Sequence, residues 1–499
     1  MKEKFYITTS IIYANAKPHI GHALELLQAD VIARWQRLLG KDVFFLTGTD
    51  EHGIKVYQSA KNANKKPQEF VNENTQSAKE LIKFLNISNT DFIRTTDKKR
   101  HWPAVAKIWE LLRANGDIYK GSYKGLYSVK EEVYITKTEA ESSEYRDTEI
   151  IEVEEENYLF RLSKYGEKIK NAYKKYKIVP PHRQKELTNF IDTGLTDISF
   201  SRSKDKLPWG IPVPGDDSQI IYVWCDALTN YLSALGYPGK KYEKYWPADI
   251  HVIGKDILRF HAIYWPAILM SAGLKLPRKL LVHGFITAEG KKMSKSVGNV
   301  MDPLELVKEY GVDPVRYYLL REIPTFDDGD YSKKRFDTLY NSELADKIGN
   351  LLSRSITMLK KYSKATVPKP AKADGSPDST YGYSVIADRM NALQIDKALD
   401  EIINIAQAEN QYIDSTKPWQ LAETGSSKLN DVLYNIIENL RHISIMLYPF
   451  LPGTSDKIRQ QLGLKPIDPD NFDLDKEKQW GGLKFGHKLG KSEILFPKN

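Results

Sequence analysis

Residues 5–53 have the sequence FYITTSIIYANAKPHIGHALELLQADVIARWQRLLGKDVFFLTGTDEHG, in which an amphipathic segment joins two short apolar ones. The apolar segments, residues 5–9 and 43–46, are rich in residues that favour strands. Between them, apolar residues recur at steps of three or four and predict a helix with one apolar stripe that stops at Gly40; they are Leu24, Leu27, Val31, Trp35 and Leu38. A strand, a helix and a strand with short joints form the βαβ unit of a doubly wound parallel sheet. Such sheets bind ligands at the carboxyl ends of their strands.

The turn between the first strand and this helix carries His19-Ile20-Gly21-His22. Gly21 removes a side chain where a ligand would approach the backbone, and the start of the helix offers N–H groups to an anion. Two imidazoles three residues apart add donors for the charge that builds on a phosphate in a transition state. The residues alone leave two alternatives open, a pair of solvated polar histidines and a metal-binding pair.

A second polar segment, Lys291-Lys292-Met293-Ser294-Lys295-Ser296, follows a strand-like run at residues 280–283. It lies between Gly290 and Gly298, so it could form an arm that folds cations over a polyphosphate. By itself, such a segment could equally be a solvated surface loop. Together, the two motifs are the paired signature of class I aminoacyl-tRNA synthetases, which the chain closely resembles.

Further motifs narrow the resemblance to the methionyl-tRNA synthetase family. The matching segments are residues 11–15, 49–53, 222–224, 254–256 and 260–261. The departures from the family pattern are Cys225 and Leu228-Thr229, where other residues are commoner, and they leave the detailed shape of the amino-acid pocket open. Cys225 is expected to be a small buried residue, since this chemistry needs no nucleophile.

The resemblance implies a role for each matching residue. His19 and His22 would stabilise the transition state at the α-phosphate of ATP, and Lys292 and Lys295 would act on the pyrophosphate side. The implied ATP-binding residues are His19, Gly21, His22, Gly254, Asp256, Lys292, Ser294 and Lys295. The implied methionine-binding residues are Ile11, Tyr13, Asp50, Arg202, Trp224, Ala227, Leu228, Tyr231, Phe260 and His261.

Within that pocket, Asp50 would hold the substrate ammonium and Arg202 would approach the other end of the substrate. Aromatic edges favour a thioether sulfur, and a narrow slot admits an unbranched chain while rejecting β-branched rivals. The residues alone also allow Asp50 to cap the next helix, and each aromatic residue to be ordinary core.

The predicted fold is α/β, a Rossmann-type doubly wound parallel sheet split by a connective insertion and followed by an all-α helix bundle. Residues 1–115 would form the first half of the catalytic domain, 116–218 the insertion, and 219–275 the second half. Residues 276–335 would carry the lysine-rich loop and contact the tRNA stem, 336–465 would bind the anticodon, and 466–499 would pack back on the rest. The sheet is expected to resume with a strand at 219–223 and to continue at 250–253. A helix is expected from 257 to 271, with a kink at Pro266.

The helical region supplies the residues that the resemblance assigns to the anticodon. Asn350 and Arg354 are one helical turn apart, and Trp419 follows Lys417-Pro418. The matching family residues read the CAU anticodon through hydrogen bonds to base edges and stacking on unpaired bases. Without the resemblance, Trp419 would be interpreted as core and Arg354 as solvated.

Composition sets broad limits on the class of protein. The length of 499 residues suggests three or four domains, and the net charge of +8 is compatible with RNA binding without requiring it. The chain has a single cysteine, so neither a disulfide within the chain nor a cysteine-rich zinc site can form. In relatives the insertion often carries a zinc knuckle, but here Ser142, Ser143 and Tyr145 stand where thiols are expected, so no structural zinc is predicted. No long apolar run or leader is present, and a cytoplasmic protein without membrane insertion is expected.

The implied function is the ATP-dependent ligation of L-methionine to tRNA(Met) through methionyl-adenylate, which supplies translation initiation and elongation. Mg²⁺ would accompany ATP, and a monomer is expected. The alternatives are a class I ligase for isoleucine, leucine, valine or cysteine, and a catalytically silent tRNA-binding protein. The insertion looks too short for the editing domain usual in the first three, and a cysteine enzyme would need a cysteine-ligated zinc. Intact His19, His22, Lys292 and Lys295 argue against a silent protein.

Overall fold

The structure, a computed structural model, describes residues 2–128, 133–135, 150–288, 290–292, 301–370 and 379–498. Its central element is a seven-stranded sheet in which every pair of neighbouring strands is parallel. In chain order the strands are Lys4–Thr9, Ile12–Tyr13, Asp42–Asp50, Asp91–Arg94, Lys177–Val179, Ile250–Gly254 and Lys279–His283. The predicted doubly wound parallel sheet is therefore confirmed.

The order of the strands locates the point at which the winding reverses. Asp42–Asp50 has Asp91–Arg94 on one side, because Leu46 pairs with Asp91 there and with Thr8 on the other side. Lys4–Thr9 in turn pairs with Ile250–Gly254, which pairs with Lys279–His283. The chain thus winds outward from the first strand in both directions. A ligand crevice is expected where this reversal occurs, at the carboxyl ends of Lys4–Thr9 and Ile250–Gly254.

Alternate residues of the strands face two separate apolar cores, as expected for a sheet covered on both faces. Phe5 and Ile7 belong to the core on one face, whereas Tyr6 belongs to the core on the other. The first core extends into the carboxyl-terminal bundle, and the second contains Trp109 and Trp265.

The helix after the first strand, Ile20–Leu38, differs from its prediction. Fifteen of its 19 residues are buried, so it has no solvated face opposite the predicted apolar stripe. It lies between the sheet and the helix Val312–Arg321. Its buried charges are paired, since Asp30 accepts hydrogen bonds from Arg34 at 2.9 Å and from Arg316 at 2.8 Å. Burial raises the pKa of Asp30, but the two guanidinium groups outweigh burial and hold the pKa at about 2.

Arg316 also joins this helix to the bundle. Its guanidinium donates to the carbonyl oxygens of Leu85, Phe450 and Pro449 while it binds Asp30. A fully buried charge is stable only when such partners are present. The contact therefore connects the helix that begins at the histidine motif with the bundle.

The prediction that the parallel sheet resumes with a strand at residues 219–223 is wrong. The strand Asp216–Ile221 pairs antiparallel with Ser201–Ser203 and Pro212–Val213 in a separate three-stranded sheet. Gly215, at φ 83°, forms the turn that brings Asp216 beside Val213, so a local hairpin takes up this segment.

The predicted helix at residues 257–271 is composite. A 3-10 turn, Lys255–Ile257, is followed by a π-helical segment, Phe260–Tyr264, and then by the α-helix Trp265–Ser271. Pro266 lies in the first turn of that α-helix, where its missing N–H is not required. A change of helix type thus occurs where a proline kink was predicted.

The insertion forms an antiparallel sheet in which Val133–Ile135, Ile118–Ser128, Ile150–Phe160 and Ile198–Ser199 are neighbours in that order. A third small sheet contains Ile286–Ala288, Lys291–Lys292 and Gly329–Tyr331. The helices between residues 54 and 339 are Ile54–Asn62, Pro67–Phe84, Trp102–Ala114, Leu162–Tyr165, Gly166–Ala172, Pro181–Asp192, Val223–Leu228, Asn230–Ser233, Lys240–Tyr245, Pro303–Tyr310, Val312–Arg321 and Lys333–Leu339.

The predicted carboxyl-terminal helix bundle is also confirmed. Its helices are Tyr340–Gly349, which is π-helical, Asn350–Ser363, Ser379–Asn391, Ile395–Thr416, Pro418–Glu423, Leu429–Leu447, Pro452–Gln461 and Leu474–Glu477. The tail packs against it, because the Glu438 carboxylate accepts the N–H groups of Gly481, Gly482 and Leu483. None of the helices in the described part of the chain is long and apolar enough to cross a membrane.

Candidate active site

The two motif histidines cap the helix that follows the first strand. Nδ1 of His19 accepts the N–H of Gly21 at 3.1 Å, and Nδ1 of His22 accepts the N–H of His19 at 3.1 Å. The two rings lie 4.0 Å apart, centroid to centroid. The two imidazoles therefore form a capping box, with His19 in the position usual for serine and His22 in the position usual for glutamate.

This cap determines which ring nitrogen carries the proton. Because both Nδ1 atoms accept hydrogen bonds, each neutral ring carries its hydrogen on Nε2, on the edge away from the helix. Burial, followed by the nearby His19 and His283, lowers the pKa of His22 well below its usual value. His22 is therefore a neutral N–H donor, suited to an oxyanion.

The role predicted for Gly21 changes in one respect. Its N–H is already bonded to His19, so the first turn of the helix does not offer this group to an anion. A Cβ at Gly21 would lie 2.9 Å from Cε1 and 3.0 Å from Nδ1 of His19. The glycine thus makes room for the capping imidazole.

Two residues absent from the sequence prediction complete this cluster. Glu25, one turn into the helix, accepts hydrogen bonds from Nε2 of His283 at 3.1 Å and from N and Oγ of Ser10 at 2.7 and 2.6 Å. Nδ1 of His283 lies 2.8 Å from the carbonyl oxygen of Gly284. Both partners of the His283 ring are acceptors, so the ring carries both protons and a positive charge. Burial lowers the pKa of His283, but its hydrogen bond to Glu25 and the charge of that carboxylate outweigh burial and raise it.

The strand Ile250–Gly254 ends beside the same cluster. A Cβ at Gly254 would lie 2.6 Å from Oδ1 of Asp256 and 3.6 Å from Cε1 of His283. The structure thus brings Gly254, Asp256 and His283 together at the reversal point of the sheet. Within the described ranges, no group of three His, Cys, Asp or Glu side chains could hold a metal ion.

A second cluster contains most of the aromatic residues predicted to bind methionine. The ring of Trp224 stacks on Phe260 with centroids 3.6 Å apart and planes 6° apart, and meets His261 edge-on at 6.4 Å. The Tyr231 hydroxyl lies 2.7 Å from Nε2 of His261. Trp224 is partly exposed, whereas Tyr231 and His261 are buried.

The hydrogen bonds of His261 fix the direction of that contact. Nδ1 of His261 donates to the carbonyl oxygen of Ile257 at 3.0 Å, and burial lowers the pKa of the ring to about 4. The neutral ring then has a bare Nε2, so the Tyr231 hydroxyl is the donor. An uncharged, aromatic surface of this kind suits an apolar side chain that ends in a soft atom.

The other residues predicted for the pocket lie on or next to strands of the parallel sheet, on the strand Ser201–Ser203 and on the helix Val223–Leu228. Asp50 is buried at the end of its strand, and the next helix is capped at Gly53, so Asp50 is not the cap residue. Arg202 donates to Oγ of Ser199 and lies 4.8 Å over the ring of Tyr222, two residues before Trp224. The remaining residues predicted for the pocket are Ala227 and Leu228, both buried, and Ile11 and Tyr13, both partly exposed.

The lysine motif is described only in part. The backbone of Lys291–Lys292 forms a strand antiparallel to Ile286–Ala288. Ser294 and Lys295 lie outside the described residues, as do Ser142, Ser143 and Tyr145.

The residues predicted to contact the anticodon lie on two helices of the bundle that contact each other, Asn350–Ser363 and Pro418–Glu423. Asn350 and Trp419 are exposed, with 37% of Trp419 accessible to solvent. Arg354 donates to Oδ1 of Asp414 at 2.6 Å. Trp419 is therefore not the core residue that its type alone would suggest.

Glu25 and His283 gave only weak signals in the sequence. Glu25 is a carboxylate three residues after His22 among apolar neighbours, where a buried acid needs a partner. His283 ends an apolar run, and polar residues at the carboxyl end of a buried parallel strand face the crevice. Their pairing across the chain could not be predicted from either position.

Two family models match the chain. The model described as "tRNA synthetases class I (M)" matches residues 5–143 and 138–356. The model described as "Anticodon binding domain of methionyl tRNA ligase" matches residues 378–499. Together they cover residues 5–356 and 378–499, which include nearly all of the parallel sheet and most of the bundle.

Full-length relatives agree with these matches. The chain is 45% identical over 486 residues to a methionine–tRNA ligase of Brucella suis, covering 94% of each chain, and 44% identical over 514 residues to that of Rickettsia felis, covering 100% of this chain and 99% of the other. Among solved structures, Mycobacterium tuberculosis methionyl-tRNA synthetase in complex with methionyl-adenylate superposes with a TM-score of 0.92 at 38% identity, covering 99% of this chain and 100% of that one. The chain belongs to the methionine–tRNA ligase family of class I aminoacyl-tRNA synthetases.

Proposed function

We propose that the chain activates L-methionine with ATP to form methionyl-adenylate and then transfers the methionyl group to tRNA(Met). The observation that carries this proposal is the pair of imidazoles at the reversal point of the sheet. Both accept a backbone N–H of the helix start at Nδ1, so each ring carries its hydrogen on Nε2. A methionyl-adenylate complex of a close structural relative supports the same chemistry.

In the proposed first step, a carboxylate oxygen of methionine attacks the α-phosphorus of ATP in line. The bond from that phosphorus to the bridging oxygen breaks, and pyrophosphate leaves. His19 and His22 donate from Nε2 to the α-phosphate oxygens as negative charge grows there. In the second step, a ribose hydroxyl of the 3′-terminal adenosine attacks the methionyl carbonyl, and AMP leaves.

The rest of the nucleotide would be held by residues of two segments, 254–256 and 292–295. We assign Gly254 and Asp256 to the adenosine side and Lys292, Ser294 and Lys295 to the leaving pyrophosphate. Mg²⁺ that accompanies ATP would neutralise negative charge on the β- and γ-phosphates. No residue needs to form a covalent intermediate, because positioning and charge stabilisation supply the rate.

We assign the second cluster to the methionine side chain. Trp224, Phe260, Tyr231 and His261 would enclose it, with Ile11, Tyr13, Ala227 and Leu228 as further contacts. Asp50 would pair with the ammonium and Arg202 would approach the substrate from the adjoining sheet. The uncharged state of His261 supports this assignment, since a cation there would oppose burial of an apolar chain.

The bundle would recognise the anticodon of tRNA(Met). We assign base stacking to Trp419, because a large aromatic side chain that is 37% exposed can receive an unpaired base. Asn350 and Arg354 would bind base edges. Arg354 is paired with Asp414, so this ion pair would open or share the guanidinium when RNA binds.

The test is exchange of labelled pyrophosphate into ATP, with each amino acid supplied in turn and no tRNA present. Exchange with methionine alone is the expected result. Exchange with another amino acid would support the assigned phosphate site and contradict the assignment of the second cluster to methionine. Absence of exchange with every amino acid would favour a catalytically silent tRNA-binding protein.

A further inference from the structure

A buried carboxylate behind the proposed methionine pocket binds two histidines from distant parts of the chain. Oδ2 of Asp226 lies 2.6 Å from Nδ1 of His52, and Oδ1 lies 2.6 Å from Nε2 of His101. All three residues are at most 2% exposed. Burial raises the pKa of Asp226, but the two imidazoles outweigh it and hold the pKa below its usual value, so the carboxylate is ionised.

On one side, this cluster holds the segment that provides the aromatic wall. Asp226 lies in the helix Val223–Leu228, between Trp224 and Ala227. Nδ1 of His101 continues the network to Oγ of Ser233, 2.7 Å away, two residues beyond Tyr231. Both ends of the segment are therefore tied to His101. That residue is itself fixed at the start of the helix Trp102–Ala114, where its N–H donates to the carbonyl oxygen of Asp97.

On the other side, the cluster holds the segment that carries Asp50. His52 follows Asp50 by two residues, and its ring lies 5.5 Å from that of Trp209, in an edge-to-face contact. Nε1 of Trp209 donates to the carbonyl oxygen of Glu51 at 2.7 Å. The turn after Asp50 is thus held by two contacts, one with Trp209 and one with Asp226. Through His52, Asp226 links this turn to the helix that carries Trp224.

We propose that Asp226, through His52 and His101, is a positioning residue that sets the separation between Asp50 and the aromatic wall of the methionine pocket. The inference rests on the pocket proposed above. It extends that pocket to three residues that do not touch the substrate. Methionine must contact both parts of the pocket at once, with its ammonium at Asp50 and its thioether at the aromatic wall. A change in the distance between Asp50 and the wall therefore weakens methionine binding. ATP is held by other segments and is not affected.

The proposal predicts a specific kinetic signature for Asp226→Asn. In pyrophosphate exchange with the full chain, KM for methionine should rise about tenfold while KM for ATP changes less than about twofold. His52→Gln should have a similar effect, and the double variant should be little worse than either, because both break one contact. Ser233→Ala removes the outer hydrogen bond to His101 and the longer bond, 3.3 Å, that Oγ of Ser233 donates to the carbonyl oxygen of Asn230, and leaves both hydrogen bonds of Asp226 in place. It should give a smaller rise and provides a test if Asp226→Asn does not fold.

Asp117→Asn is the matched control. Asp117 is also buried and accepts hydrogen bonds from Lys164, Tyr165 and Ser271, but it lies where the insertion begins. It should lower thermal stability without changing the ratio of the two KM values. Equal rises in both KM values for Asp226→Asn, or a loss of stability with unchanged KM values, would overturn the inference.

Asp50→Asn distinguishes failure of this inference from failure of the pocket itself. A large rise in KM for methionine in Asp50→Asn, with none in Asp226→Asn, would retain the pocket and reject the positioning role. Unchanged KM for methionine in Asp50→Asn would reject the pocket on which the inference rests.

Discussion

Nε2 of His283 donates to Oε2 of Glu25 across 3.1 Å, in a contact between residues 258 positions apart in the chain. It joins the end of the strand Lys279–His283 to the helix capped by His19 and His22. The positive ring of His283 is near enough to lower the pKa of His22. His283 is thus charged because it has a carboxylate partner, whereas burial and the neighbouring histidines keep His22 neutral.

Because His283 and Glu25 form this contact, we expect His283→Asn to destabilise the fold by an amount that depends on pH. The pKa of His283 is raised above the usual 6.5, so the Glu25 contact stabilises the fold fully below that value and loses its effect as pH rises through the raised pKa. The free energy of unfolding should fall by about 1.5–3 kcal/mol at about pH 6 and by less at about pH 9. Urea unfolding at the two pH values measures the difference.

His182→Asn is the control, because His182 is exposed and the change should have little effect at either pH. A His283→Asn penalty that is the same at both values would contradict a charged His283.

Gly21→Ala should displace the capping ring. The new Cβ would lie 2.9 Å from Cε1 of His19, so the imidazole must move and lose its hydrogen bond to the backbone. We expect the rate of pyrophosphate exchange to fall about tenfold or more, with a loss of stability of about 1 kcal/mol from the weakened cap. KM for methionine should stay the same, because other segments form its pocket. An unchanged rate would show that the position of His19 is not important for catalysis.

Periodicity was sufficient to predict the core of the fold. Apolar residues at steps of three or four before Gly40, between two strand-like segments, predicted the first βαβ unit and hence the edge at which His19 and His22 lie. Four of the residues predicted to bind the methionine side chain contact one another in the structure. Trp224 stacks on Phe260, and Tyr231 forms a hydrogen bond with His261.

Long-range partners could not be predicted in the same way. Asp30 and Arg34 have the spacing of a solvated ion pair on a helix, yet both are buried because Arg316 reaches Asp30 from 286 positions away. Asp226 likewise gives no local sign of His52, 174 positions away. The strand at 219–223 was assigned to the wrong sheet for the opposite reason, since a local turn at Gly215 determines its partner. Periodicity shows which residues are apolar, but it does not show which charges will meet.

Lys295→Ala should separate phosphate chemistry from amino-acid binding. If Lys295 binds the leaving pyrophosphate, its loss should slow adenylate formation by about 100-fold or more and leave KM for methionine nearly unchanged. Single-turnover adenylate formation measures the rate. Lys364→Ala, in the bundle, is a control that should leave both quantities unchanged. Comparable losses in rate and methionine affinity for Lys295→Ala would contradict the assigned role.

Gly482→Ala should loosen the carboxyl-terminal tail. A Cβ at this position would lie 2.4 Å from Cζ of Arg441, a buried group that also binds Glu438. Such overpacking costs about 1–3 kcal/mol, so limited proteolysis should cut the tail faster while pyrophosphate exchange is unchanged. Gly349→Ala, where the new Cβ would meet atoms no nearer than 3.4 Å, should not accelerate cleavage. Equal cleavage of the two variants would contradict the role of the Gly482 contact.

Glu409 should also make stability depend on pH, because it is a buried acid with no cationic partner among the described residues. Burial raises its pKa from 4.5 to about 7, and the hydrogen bond from Asn439 at 2.6 Å offsets only part of this effect. The folded protein therefore retains a proton that the unfolded chain releases, and stability decreases as pH rises from 4.5 to about 7. Glu409→Gln stays neutral and keeps an acceptor for Asn439. It should be more stable than the parent protein by up to about 3 kcal/mol at about pH 8 and equally stable at about pH 4. Glu423→Gln, at an exposed position, should show no such dependence. If urea unfolding gives Glu409→Gln the same advantage at both pH values, the benefit comes from packing, and Glu409 does not titrate near neutral pH.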